Sequence, residues 1–188
     1  MKPLLFAIVL SAPSVAFAQS DQPIVEIRTG AGLSHYLHAD WDFTAPTFLV
    51  AARVGHGALA VEPEFAVARH EDTQTFSANT SATTRLTFQG IGINVIGRSG
   101  GPVSFYGGGG PGIYWERHIY RLNDPVFGYE QQRNSGSRLG AQGLAGVDFT
   151  VAPHVNAFGQ FRYEMRSFED PGGGSVVQGF VGVSIRLK

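Results

Sequence analysis

Three short stretches carry residue types able to do chemistry. Ser34-His35 sets a hydroxyl beside an imidazole, Glu116 and His118 stand two apart in "WERH", and "RHED" groups Arg69, His70, Glu71 and Asp72. Hydrolysis through a covalent intermediate needs a nucleophile held by a base and a base oriented by a third group. The spacing does not assemble one. Ser34 and His35 are neighbours, so in an extended chain they point to opposite faces, and Glu116 and His118 share a face with no assignable serine. HExxH and a spaced His/Asp metal set are absent from the sequence. "GGGGPG" at 107–112 lacks the lysine and following helix of a phosphate loop, and its glycines suit close strand approach. Without cysteine there is no thiolate chemistry and no disulfide. The expectation is a protein that is not an enzyme, with no catalytic, metal or cofactor site.

A second set of charged residues is spaced by twos. "ALAVEPEFAVARHE" places Glu62 and Glu64 on one parity and Leu59, Val61, Phe65 and Val67 on the other. The same alternation puts Glu26, Arg28, Arg53, Glu116, Gln142, Asp148, Arg162, Glu164 and Arg166 on one face of their segments. Val103, Phe105, Ile113, Val147, Phe161, Val181, Val183 and Ile185 lie on the other. A period of two is the mark of a strand with unlike faces. Charges of both signs with small residues between them suit the interior of a narrow barrel, so Arg53, Glu62, Glu64, Glu116, Arg162, Glu164 and Arg166 are expected to form a lumen charge network. With His56-Gly57 as a two-residue turn, Arg53 is expected opposite Ala60 and diagonal to Glu62.

Eight alternating segments carry these residues: 24–38, 48–54, 58–70, 84–97, 103–120, 138–151, 155–168 and 176–187. "GHG", "RSGGP" and "APH" are tight turns, whereas the connections between odd and following even segments are long and polar. Pro63 removes a ladder donor, which predicts a bulge or a place near the outer rim. The parity change between Leu86, Phe88 and Ile91, Ile93, Val95 predicts a second bulge near Gln89 and Gly90.

Compartment follows from the first residues and the composition. "MKPLLFAIVLSAPSVAFAQS" reads as a secretory signal cleaved after Ala18, leaving one domain over 19–188. Charged residues make up 15% of the chain, against about 25% in soluble domains, so a charged face would poorly cover a soluble surface. A net charge of −1 gives no field for nucleic acid. The fold class expected is all-β: an eight-stranded antiparallel up-and-down transmembrane β-barrel with short periplasmic turns and long outer loops.

The signal, the eight strands, "SFYGGGGPGIYWE" and the closing "GFVGVSIRLK" resemble the small outer-membrane β-barrel family of the OmpA transmembrane domain and OmpX. That resemblance implies the Gram-negative outer membrane and insertion by the barrel assembly machinery. In that family the last strand commonly ends in an aromatic residue, where this chain has Leu187-Lys188. Two alternatives stay open at this point: a lipid A-modifying hydrolase of similar size, and a soluble periplasmic lipocalin-like binding barrel.

Eight strands leave an interior filled by side chains, so an open pore is not expected. The role then falls to the outer loops, above all 121–137, where Phe127 and Tyr129 are candidates for contact with an extracellular ligand. Arg69 and Arg117 have the outward parity near the long-loop ends and are the expected lipopolysaccharide contacts, alongside the outer-membrane lipids.

Overall fold

The computed structural model describes residues 23–38, 41–134, 136–166 and 174–187; the expected signal lies outside them. The strands are β1 Pro23–His38, β2 Trp41–His56, β3 Leu59–Ser77, β4 Thr80–Arg98, β5 Val103–Asn123, β6 Tyr129–Asn134, β7 Arg138–Ala152, β8 Val155–Arg166 and β9 Ser175–Arg186. All pair antiparallel. β1 pairs with both β2 and β9, and β4–β5 pairing closes eight strands into a ring, with β6 outside it. Closure leaves no edge in the spanning region, which lipid requires of any sheet.

The ring reads along its strands as buried-polar and exposed-apolar residues in alternation. Leu59, Val61, Phe65, Ile91, Ile93, Val95, Phe105, Ile113, Leu139, Phe161 and Val181 are all exposed. A surface so apolar is stable against hydrocarbon rather than water. At its upper edge the Trp115 indole donates to Gln89 on the neighbouring strand, an aromatic with a polar tip at the height where lipid meets headgroup.

Four local expectations are corrected. The first turn is Gly57-Ala58, because His56 pairs with Leu59 and Gly57 takes φ +60°; the turn moves by one residue, which moves the partner of Arg53 by two, from Ala60 to Glu62. No bulge occurs at Gln89-Gly90: β4 keeps one register with β3 from Gly97 to Ser81. Leu86 and Phe88 instead point inward and pack with Tyr36, Ala45, Ala68 and Val176 into an apolar layer at the upper end of the lumen. Pro63 is neither bulged nor near the outer rim. It stands four residues from the short-turn end, and the β2–β3 ladder skips Ala52 and Arg53 without changing register. Finally, much of the sequence expected as long loops is strand: "RHED" lies within β3, and loop 121–137 contains β6.

β3, β4 and β5, at 19, 19 and 21 residues, outrun β8 and β9 at 12 each. β7 pairs with β5 only up to Tyr114, and beyond it β6 takes over from Arg117 to Leu122. The upper parts of β3, β4, β5 and β6 therefore continue as a four-stranded sheet above the ring.

Candidate functional site

The lumen holds two charge clusters. In the lower one, Arg53 Nε donates to Glu62 at 2.7 Å, and Arg53 and Arg28 each donate to a different oxygen of Asp148 at 3.0 Å. Arg98 and Arg186 both reach Glu26 Oε1, at 3.3 and 3.1 Å. The Arg28 guanidinium also donates to Tyr106 and lies 4.1 Å from the Phe158 ring centroid. In the upper cluster Arg162 donates to Glu64 at 2.7 Å and to Glu164 at 3.3 Å, and Arg166 donates to Glu164 at 2.8 Å. Gln142 links Glu64, Asn94 and Tyr114.

Of the seven residues expected in one network, the fold thus brings Arg53 and Glu62 into the lower cluster and Glu64, Arg162, Glu164 and Arg166 into the upper. Glu116 is on the inward face of β5 opposite Phe88 and is half-buried, where the other six are buried. Arg28 and Asp148 bind the lower cluster together, and their inward parity is the sequence signal for them. Leu49, Ala66, Phe158 and Phe180 pack together, with Arg28 4.1 Å from the Phe158 ring centroid and Arg162 5.1 Å from that of Phe180. The space left inside the upper lumen is about 10 Å³, room for roughly one water. Side chains fill the upper lumen.

Tyr114 fills part of that space because glycines floor it. A Cβ at Gly90 would stand 2.7 Å from the Tyr114 ring, and one at Gly140 2.8 Å from it. In the stretch 107–112 itself, a Cβ at Gly108 or Gly110 would collide with the backbone carbonyl oxygen of Val95 or Ile93 on β4, the close strand approach expected of those glycines.

Above the ring, β5 and β6 carry a ladder on the face that continues the lumen wall: His118 faces Arg133, Tyr120 faces Gln131 and Leu122 faces Tyr129. The Tyr120 and Tyr129 rings stand 5.9 Å apart, and a groove of about 320 Å³ runs over His118, Tyr120, Tyr129, Gln131 and Arg133. Phe127, expected to work with Tyr129, is at the turn before β6 and is 76% exposed. That turn is held by Asp124, whose carboxylate accepts the backbone N–H groups of Phe127 and Val126 at 2.8 Å each and the Thr80 hydroxyl at 3.0 Å. The N–H of Phe127 first, then that of Val126 and the Thr80 hydroxyl, hold the Asp124 carboxyl below the usual aspartate range.

Among the described side chains the histidines do not converge. His35 bonds Thr44, His70 stacks on Phe43, His118 is on β5, and His56 and His154 are at turns. Among the described residues no group of three His, Cys, Asp or Glu could hold a metal.

On the outside of the barrel Arg69 donates to Glu71 at 2.8 Å, and Arg85, from the next strand, donates to the same oxygen at 2.9 Å. Arg117 donates to Gln132 of β6 at 2.7 Å. Arg69 and Arg117, the two expected lipid contacts, thus share the outward surface with Arg85. A bulge at Gln89-Gly90 would turn Arg85 inward; the unbroken register turns it out.

A family model described as outer membrane protein beta-barrel domain matches residues 3–185. Among solved structures, Ail, the attachment invasion locus protein of Yersinia pestis, in complex with the heparin analogue sucrose octasulfate, is 16% identical. It aligns over 88% of this chain and 99% of its own with a TM-score of 0.63. Neisserial surface protein A is 14% identical, aligned over 87% of this chain and 97% of its own, with a TM-score of 0.62. A major outer membrane protein from Thermus thermophilus is 13% identical, aligned over 88% of this chain and 99% of its own, with a TM-score of 0.60. No curated protein matches the sequence.

Proposed function

The chain belongs to the outer membrane protein beta-barrel domain family, and from that premise we propose that it is a sealed surface protein acting through the sheet it raises above the membrane. Its place is the outer membrane of a Gram-negative cell, which removes the soluble lipocalin-like alternative. Insertion falls to the barrel assembly machinery. The observation that carries the reading is the continuation of β3, β4, β5 and β6 beyond the ring, with Tyr120, Tyr129 and Arg133 on one face. Rigid aromatics beside a cation give contact area with little ordering cost. The filled lumen argues against a pore, and the scatter of the described histidines argues against a lipid A hydrolase built on a histidine base. Ail, of the same fold, is known in complex with a sulfated sugar, so an acidic glycan is the first ligand class to try. On the outward face the partners are outer-leaflet lipids, with Arg69 and Arg117 as lipopolysaccharide contacts.

The test is display of the full chain on a Gram-negative host and retention of the cells on heparin-coated and matrix-protein-coated surfaces. Retention above the empty host, lost in the Y120A/Y129A/R133A variant at equal surface display, supports the proposal. Retention no better than the empty host on every surface refutes it. Liposomes containing the refolded protein should swell in small sugars no faster than protein-free liposomes.

A further inference from the structure

The outward arginines form a more specific arrangement than two separate lipid contacts. Arg69 on β3 faces Thr87 on β4, and Thr87 faces Arg117 on β5, so the two arginines flank one threonine at the same height. Arg85 stands two residues further up β4 on the same face and faces Glu71. With strands about 4.8 Å apart and about 3.4 Å per residue, the three Cα positions form a triangle roughly 10 Å wide and 7 Å tall around Thr87. Each guanidinium reaches that far on its stem.

Resting on the lipopolysaccharide reading above, we propose that Arg69, Arg85 and Arg117 form one phosphomonoester-binding site around Thr87 for a phosphorylated sugar lipid of the outer leaflet.

Four features carry the assignment. Glu71 takes one N–H from Arg69 and one from Arg85 on a single oxygen, and Gln132 takes one from Arg117. Arg69 and Arg85 thus meet on one oxygen of Glu71 and Arg117 is held on the β6 side, and each guanidinium, with five N–H donors, keeps most of them for a ligand. Charge matches as well: three arginines and one glutamate sum to +2, which balances a phosphomonoester of about −1.5 to −2 at pH 7 and exceeds the −1 of a phosphodiester. Height is right too. One step down the same faces stand Val67, Gln89 and Trp115, and the next step is Phe65, Ile91 and Ile113, the lipid-facing band. Beside Arg69 the β2–β3 ladder ends at Thr47 and Ala68, since Pro46 has no N–H to extend it. The strands part there around a cleft of about 580 Å³ lined by Pro46, Phe48 and Val67, with Arg69 at its rim. An acyl chain whose headgroup phosphate sits on the arginines would enter it.

The experiment uses the full chain refolded in neutral detergent and follows its thermal unfolding midpoint. Three additives are titrated: lipopolysaccharide, the same lipopolysaccharide stripped of phosphomonoesters by phosphatase, and phosphatidylglycerol. Wild type should gain stability at the lowest concentration of intact lipopolysaccharide. R85A should need about tenfold more, the worth of one lost charge-assisted contact, as should wild type with the stripped lipid; R121A should behave as wild type. R85Q and R85K stand in if R85A does not refold, and lysine should recover only part of the effect because it lacks the fork. An R85A response equal to wild type, with R69A/R117A weakened, overturns the triangle and leaves the lipopolysaccharide contact standing. Full response in R69A/R117A and R85A alike overturns both. Equal stabilisation by phosphatidylglycerol or by the stripped lipid overturns the phosphomonoester assignment.

Discussion

Arg53 and Glu62 face each other across the β2–β3 hairpin, joined by a 2.7 Å hydrogen bond, at the point where Pro63 interrupts the backbone ladder. The side chains close a seam the main chain leaves open. Both are fully buried, and Glu62 also lies 3.5 Å from Arg28. Breaking a buried pair by removing one partner costs about 3–5 kcal/mol because the other charge stays without its partner. R53M and E62Q should each fall in that range in urea unfolding followed by gel mobility of the unboiled protein. R53M/E62Q should be less destabilised than the sum of the two. A fully additive double variant would show that the two residues do not share their stabilisation.

The faces of the barrel give a second prediction. Val181 is 70% exposed in the middle of β9, facing outward between Ala31 and Gly159. V181R should cost roughly 2–4 kcal/mol in a bilayer, as charge does near the midplane, and lower the folded yield in lipid vesicles. V147R, on the same face of β7, should act alike. Refolding yields equal to wild type in vesicles would contradict the outward assignment.

The alternation makes the fold legible, because in a barrel every residue's face is decided by parity and register alone. It works for Glu62, Glu64, Arg162 and Glu164, whose neighbours are consistently apolar. It fails where the lumen itself turns apolar: Leu86 and Phe88 read as lipid-facing because they are hydrophobic, yet they cap the charged interior from above. That single inversion implies a bulge and hides Arg85. The Arg53–Glu62 distance is off by one step because Gly57, not His56, begins the turn. Strand lengths beyond the membrane are illegible for a different reason. "RHEDTQTFS" and "YEQQRN" are polar on both faces in water, so they carry little period-two signal, and their strand state rests on pairing with β4 and β5.

Tyr114 and its glycine floor give a third prediction. Because a Cβ at Gly90 would fall 2.7 Å from the Tyr114 ring, with the nearest backbone neighbour, the Ile113 carbonyl oxygen, at 3.8 Å, G90V should cost about 1–3 kcal/mol by overpacking. G90V/Y114L should recover part of that loss in the same urea assay, since the smaller side chain vacates the floor. A G90V variant as stable as wild type would mean that the ring moves aside freely.

The turn that presents Phe127 gives a pH prediction. Asp124 accepts two backbone N–H groups and the Thr80 hydroxyl, and these bonds favour its charged form, so its folded pKa lies below the ordinary value of about 3.9. A depressed folded pKa contributes order that is fully present above the unfolded value and is lost as pH falls through the folded one. The turn should therefore stay formed as ordinary aspartates begin to protonate and loosen only at lower pH. Amide chemical shifts of Val126 and Phe127, followed by NMR in detergent micelles, should show a single transition below about 3.9. In D124N, whose amide oxygen keeps the acceptor and does not titrate, that transition should vanish while the shifts stay close to those of wild type at neutral pH. A transition at or above the ordinary aspartate value in the wild type, or its persistence in D124N, would mean that another group controls the turn.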